Sequence, residues 1–185
     1  TRSIDGVLGA VAGDVIGSVY EWHAIKTETF PLFSPSSCFT DDSIMTVATA
    51  DALLSDGDYA RAYRSWGRAW PDAGYGGKFS RWLRKEHASP YGSFGNGSAM
   101  RASPAAYAAD SLEEVLRIAE ATSVVTHDHP QGILGAQALA GSVFLARRAA
   151  STATVSASAA TVTSARFLPL SWTGSVMLSS FSSAG

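Results

Sequence analysis

The sequence predicts an all-α domain, and three observations carry that prediction. Apolar residues return at i, i+3 and i+4 along most of the chain. No segment before Ser151 sustains a period of two between turn signals, so strands are not expected there. Helix-start and helix-stop signals bracket the periodic runs: Ser111-Leu112-Glu113-Glu114 is a capping box, and Arg147-Arg148 suits a helix C-terminus. A chain of 185 residues, 46% of them hydrophobic, can bury one substantial core. Residues 1–150 are therefore expected to form one compact helical bundle. Residues 151–185, rich in Ser, Thr and Ala with Arg166 as the only charge, read as an atypical C-terminal tail.

The first helix is marked by Ile4, Val7, Leu8, Val11, Ala12, Val15, Ile16, Val19 and Tyr20. It is expected to be central. Gly6, Gly9, Gly13 and Gly17 each cost about 1 kcal/mol relative to Ala inside a helix, and close approach of another backbone or a ligand is the usual reason for such a cost. Asp14 and Glu21 lie two turns apart on one face, with Glu21 near the helix end. Pro31 and Pro35 interrupt residues 24–38, a loop that delivers the chain to Thr40-Asp41-Asp42-Ser43. Thr40 is a good N-cap for a helix running to about Leu54, and Asp41 and Asp42 fall in its first turn, where unpaired N–H groups and the helix dipole favour negative charge. The same tetrad offers a hydroxyl and two carboxylates at a fixed helix end. That is half of a site for a hard cation such as Mg²⁺ or Mn²⁺, with other groups, water or substrate left to complete the shell.

Asp56-Gly57-Asp58 marks a turn, and Tyr59, Ala62, Tyr63, Trp66, Ala69 and Trp70 then repeat at helical spacing as a core stripe. Residues 71–77 break the pattern. A short helix follows over 79–86, with Trp82 and Leu83 on its apolar side and Arg81, Arg84 and Lys85 solvated. Residues 89–97 form a Gly/Ser/Pro loop. The capping box opens a helix carrying Leu112, Val115, Leu116 and Ala119, residues 127–130 interrupt, and an Ala-rich helix occupies 133–148.

Composition narrows the function classes. With 14 basic and 16 acidic residues the net charge is about -2, which offers no basic footprint for a nucleic-acid backbone. Cys38 is the only cysteine, which excludes an intrachain disulfide and a thiolate metal cluster. The N-terminus lacks a basic-then-apolar signal pattern, and no apolar run reaches membrane-span length. The expectation is a cytoplasmic protein with neither a nucleic-acid nor a membrane partner.

Three further groups stand out beside the tetrad. They are Gly13-Asp14 with Glu21, the loop of residues 93–101, and Thr126-His127-Asp128-His129-Pro130. Gly95 and Gly97 flank Asn96 and would let exposed N–H groups approach a phosphate, although a Gly-rich loop is more often a plain turn. A His-x-His pair is most often a helix cap or a buried hydrogen-bonding pair, and Glu21 by default is a solvated helix-end residue. In this order, residues 9–21 (GAVAGDVIGSVYE), 39–45 (FTDDSIM), 91–104 (YGSFGNGSAMRASP) and 126–135 (THDHPQGILG) resemble the ADP-ribosylglycohydrolase family. That family includes dinitrogenase-reductase-activating glycohydrolases and J1-type crystallins.

The resemblance implies a helical bundle with a binuclear Mg²⁺ or Mn²⁺ centre at the base of an ADP-ribose cleft. It implies Thr40, Asp41 and Asp42 as metal ligands and Glu21 as the catalytic residue. Ser93, Phe94, Gly95, Asn96 and Gly97 would cradle the diphosphate and ribose, and His127 would contact the ligand. The implied activity is hydrolytic release of ADP-ribose from a modified side chain or a small molecule. Family members carry a second acidic motif, Asp-x-Asp-Thr/Ser, near the C-terminus, whereas no Asp or Glu follows Asp128 in this chain. The bundle is therefore expected to be incomplete at its C-terminus, with at least one metal site weakened or lost. Apolar surface left uncovered would favour self-association or burial by the tail. A non-catalytic ADP-ribose- or nucleotide-binding module and a structural, crystallin-like protein stay open as alternatives.

Overall fold

The computed structural model of the chain describes residues 5–159. Seven α-helices lie among them: α1 Asp5–Gly17, α2 Asp41–Leu54, α3 Tyr59–Ala69, α4 Gly77–Arg84, α5 Ala105–Ala108, α6 Leu112–Val124 and α7 Pro130–Ala159. Short 3-10 turns occupy Ser18–Tyr20 and Asn96–Ser98, and no strand occurs among the described residues. The all-α expectation holds. What was expected of residues 160–185, including an incomplete C-terminal end of the bundle, lies outside the described residues.

Side-chain caps set the helix starts. Thr40 Oγ1 accepts from Asp42 N at 3.3 Å, Asp58 from Arg61 N at 2.9 Å, and the capping-box Ser111 Oγ from Glu114 N at 3.3 Å. Pro130 takes the first position of α7, where a missing N–H costs nothing, and His129 Nδ1 accepts from Gln131 N at 3.2 Å. α7 runs further than the expected 133–148 at both ends, because Ser, Thr and Val in residues 151–159 are only mildly poor helix formers. α4 begins two residues earlier than expected, and the single turn α5 was not anticipated: four residues are too few to show a period.

Two apolar clusters form the core. Ala119, Ala136 and Ala140 are fully enclosed between α6 and α7, the most extensive helix pair, and small side chains let their backbones approach. The other cluster joins Ile44, Met45 and Ala48 of α2 to Tyr63 of α3 and to Phe79, Trp82 and Leu83 of α4. Gly67 of α3 is required there, since a Cβ would come within 2.6 Å of Leu83. Burial of a side chain such as Met45, which is fully enclosed, contributes roughly 2 kcal/mol.

The first helix departs from expectation. No residue between Gly6 and Gly17 is buried, Leu8 is 57% exposed, and α1 packs chiefly against α2, so among the described residues it is peripheral rather than central. Among the described residues, Gly6 has the expected close neighbour, the Tyr107 ring, whereas a Cβ at Gly9, Gly13 or Gly17 would meet none of them within 4 Å. No described helix is long and apolar enough to cross a membrane.

Candidate active site

The junction between α1 and α2 is built on Asp14. Its carboxylate accepts from Thr40 N (2.8 Å), Thr40 Oγ1 (2.7 Å), Ser43 N (3.1 Å) and Ser43 Oγ (2.5 Å). Asp14 thus fixes both the cap and the first turn of α2, and with them the backbone that carries Asp41 and Asp42. Asp41 N in turn donates to Ala73 O at 2.7 Å. Thr40 Oγ1 is engaged twice, as donor to Asp14 and acceptor from Asp42 N. As a cation ligand it would use its remaining lone pair.

Asp41 and Asp42 are half-buried, and their carboxyls are hard to ionise. Burial, then repulsion from Asp42, Glu21 and Asp14, raises Asp41 from 3.8 to about 7. Burial, then repulsion from Asp14 and Glu21, raises Asp42 to about 6. None of the ion pairs among the described residues involves either carboxylate. Glu21 sits just past the Ser18–Tyr20 turn, exposed to solvent but close enough to raise both acids.

The opposite wall is a loop strapped to a turn. Gly92, with φ at +62°, donates its N–H to Asp128 Oδ1 at 2.7 Å, and Tyr91 N donates to Thr126 O at 3.4 Å. Ser98 Oγ donates to Gly132 O at 2.8 Å. Two glycines sit at close approaches: a Cβ at Gly132 would lie 2.8 Å from Ser93 O, which would have to move, and one at Gly97 would lie 3.1 Å from the Cε1–Nε2 edge of His127, which would have to tilt. His127 is buried, with Nδ1 2.8 Å from Thr126 Oγ1. Burial first, and Arg101 second, push its pKa down to about 4, so the ring is neutral at ordinary pH. The two histidines divide the roles anticipated for such a pair, His129 capping α7 and His127 buried and hydrogen-bonded.

A cavity of about 520 Å³ joins the two walls. Asp41, Ser93, Gly95, Asn96, Gly97 and His127 line it, so six of the ten residues singled out in the sequence meet around one space. Thr40, Asp42, Glu21 and Phe94 are not in its lining; Phe94 is 62% exposed and stands against His129 with ring centroids 5.3 Å apart. Lys78, Tyr91 and Arg101 also line it and were missed as site residues. Arg101 had a legible signal: a lone cation inside Ser98-Ala99-Met100-Arg101-Ala102-Ser103 is badly placed for a solvated face. It is 1% exposed, lies 4.1 Å over the Tyr63 ring, and donates to Thr122 O (3.1 Å) and Thr126 Oγ1 (2.7 Å).

The donor set at the acid wall suits a hard divalent cation, since it is all oxygen and its carboxylates repel one another without a paired cation. It is also partial. Among the described residues no three or more His, Cys, Asp or Glu side chains gather as a ligand group, so Asp41 and Asp42, with Thr40, could hold a cation only as part of a shell.

A sequence model described as ADP-ribosylglycohydrolase matches residues 1–182. The chain is 32% identical over 170 residues to "ADP-ribosylhydrolase ARH3" of Bos taurus, covering 71% of this chain and 46% of the relative. The corresponding proteins of Danio rerio and Homo sapiens are 31% and 29% identical over 173 and 169 residues, covering 76% and 71% of this chain and 46% and 47% of the relatives. The chain thus spans about half the length of the curated relatives it matches. By the extent of the family match, this chain belongs to the ADP-ribosylglycohydrolase family.

Proposed function

We infer that the chain binds ADP-ribose in the cavity and releases it hydrolytically from a modified protein side chain or a small molecule, with a divalent cation held by Thr40, Asp41 and Asp42. One observation carries the reading: Asp41 of α2 shares a single cavity with Gly95, Asn96, Gly97 and His127, which come from distant parts of the chain. Mg²⁺ or Mn²⁺ held by Thr40, Asp41 and Asp42 would supply positive charge for ribose hydroxyls and for lowering the pKa of water. The loop of residues 93–97 offers backbone N–H groups to a diphosphate, and His127 faces the ligand as a neutral ring. Breaking the ribosyl C1–N or C1–O bond develops oxocarbenium character, which a neighbouring carboxylate stabilises or serves by accepting a proton from attacking water. Glu21, exposed beside the acid pair, is assigned that role.

A second reading, a non-catalytic ADP-ribose-binding module, is favoured by the partial ligand set and by the position of Glu21 outside the cavity lining. Release of ADP-ribose from ADP-ribosylated arginine or serine peptides, measured with Mg²⁺ or Mn²⁺, separates the two. Turnover that falls about 100-fold or more in Glu21→Gln supports the hydrolase. Equal release by both proteins rejects it. Calorimetry then decides between a binder, which titrates with ADP-ribose to saturation, and a protein that does neither.

A further inference from the structure

Arg101, Thr126 and His127 form a buried line, and nothing in the proposed function accounts for Arg101 and Thr126. Arg101 carries only donors on its guanidinium. In its 2.7 Å bond to Thr126 Oγ1 the hydroxyl must therefore accept. Thr126 is fully buried, and its one hydroxyl hydrogen has a single acceptor within reach, His127 Nδ1 at 2.8 Å. If Nδ1 carried a proton, the Thr126 hydrogen would be stranded in the interior. Arg101 is itself held in place by Thr122 O at 3.1 Å and by the Tyr63 ring face.

We propose that Arg101 and Thr126 are positioning residues that lock His127 into its Nε2–H tautomer, so that the ring presents a hydrogen-bond donor, and never an acceptor, to whatever occupies the cavity. The Nε2 edge abuts Gly97, and no hydrogen bond among the described residues occupies Nε2. A fixed donor there selects a ligand with an acceptor oxygen at that point, a phosphate or hydroxyl oxygen, and rejects an ammonium or amide N–H. It also denies His127 a part as general base. The ligand side of this inference rests on the proposed function; the tautomer does not.

Two-bond ¹H–¹⁵N correlation spectra of the 185-residue chain at neutral pH, without ligand, test the lock. The expected spectrum shows His127 with an unprotonated Nδ1 and a protonated Nε2. A protonated Nδ1 overturns the proposal. Thr126→Val should bring a mixture of tautomers and weaken ADP-ribose binding about tenfold, while Thr126→Ser should restore both; a Thr126→Val spectrum identical to that of the parent also overturns it. If Thr126→Val does not fold, the parent spectrum and Thr126→Ser decide the matter alone. A parent chain with the expected tautomer but no affinity for ADP-ribose leaves the lock standing and removes the proposed ligand.

Discussion

The two walls of the cavity meet the same physical problem with opposite outcomes. Burial penalises charge on both, raising Asp41 to about 7 and Asp42 to about 6 while lowering His127 to about 4. At the histidine wall the fold supplies a partner: Thr126 Oγ1 bonds Nδ1, Arg101 holds Thr126 in turn, and the ring is neutral, with Nε2 alone left without a bond among the described residues. At the acid wall the hydrogen bonds from Thr40 and Ser43 go to Asp14, and no ion pair among the described residues involves Asp41 or Asp42. The difference teaches which wall carries its own partner and which leaves crowded carboxylates without a paired cation among the described residues. A divalent cation should change the acid wall's electrostatics and leave the histidine wall as it is.

The sharpest way to break that contrast is to remove the anchor of the acid wall. Asp14→Ala deletes the acceptor of four hydrogen bonds that tie the first turn of α2 to α1. Charge-assisted bonds of this kind are worth about 1.5–3 kcal/mol each but do not add, so a loss of about 3 kcal/mol is expected in urea denaturation. The Mg²⁺-induced rise in melting temperature, expected for the parent chain, should disappear with it. An Asp14→Ala variant as stable and as metal-responsive as the parent would mean that Thr40 alone holds the tetrad.

A pH titration of stability should separate the walls by sign. His127 has a folded pKa of about 4 against an ordinary 6.5, so the native state binds fewer protons between those values. Its contribution is present above pH 6.5 and is lost as pH falls toward 4, by about 3 kcal/mol in all. Asp41 and Asp42 run the other way. Their folded pKa values lie above the ordinary 3.8, so the native state holds the extra protons and cation-free stability falls as pH rises from about 4 toward 7. In the parent chain the two slopes oppose each other. Asp41→Asn with Asp42→Asn should expose the rising histidine slope, and His127→Asn the falling carboxylate slope. Saturating Mg²⁺ should flatten the latter, since bound carboxylates stay ionised. A carboxylate slope insensitive to Mg²⁺ would count against a cation at the acid wall.

Sequence patterns made the helices legible where they left a period or a cap. Thr40, Ser111 and the apolar stripes placed α2, α3 and α6, and the acid tetrad, the asparagine loop and His127 could be singled out as residue types in order. What the pattern could not show was direction. The apolar residues of α1 have the right spacing for a central helix, yet spacing says nothing about how many neighbours a helix has, and α1 is peripheral. Nor could it show that Asp14 is the structural anchor, because the partners Thr40 and Ser43 lie beyond a long loop. Nor could it show what encloses Arg101, since its burial depends on Tyr63 and Thr126 arriving from two other elements.

Glycine substitutions give the smallest expected effects and the finest test of the contrast, because the histidine wall is close-packed and α1 is not. At Gly132 a Cβ would fall 2.8 Å from the Ser93 carbonyl oxygen and 3.0 Å from His127 Cβ. Backbone at that distance must move, so Gly132→Ala should cost about 1–2 kcal/mol even after the helix-propensity gain, and should loosen the loop that lines the cavity. Gly97→Ala meets only the edge of the His127 ring, at 3.1 Å, which a small tilt accommodates. It should cost under about 1 kcal/mol in stability but weaken ADP-ribose binding several-fold, because the ring would lean away from its fixed bond to Thr126. Gly9→Ala, on α1, meets nothing within 4 Å and should raise stability by about 0.5–1 kcal/mol with binding untouched. Chemical denaturation and calorimetry on the three variants rank the sites directly. If Gly9→Ala destabilised the chain as much as Gly132→Ala does, α1 would be packed on both sides and its peripheral place in the fold would be wrong.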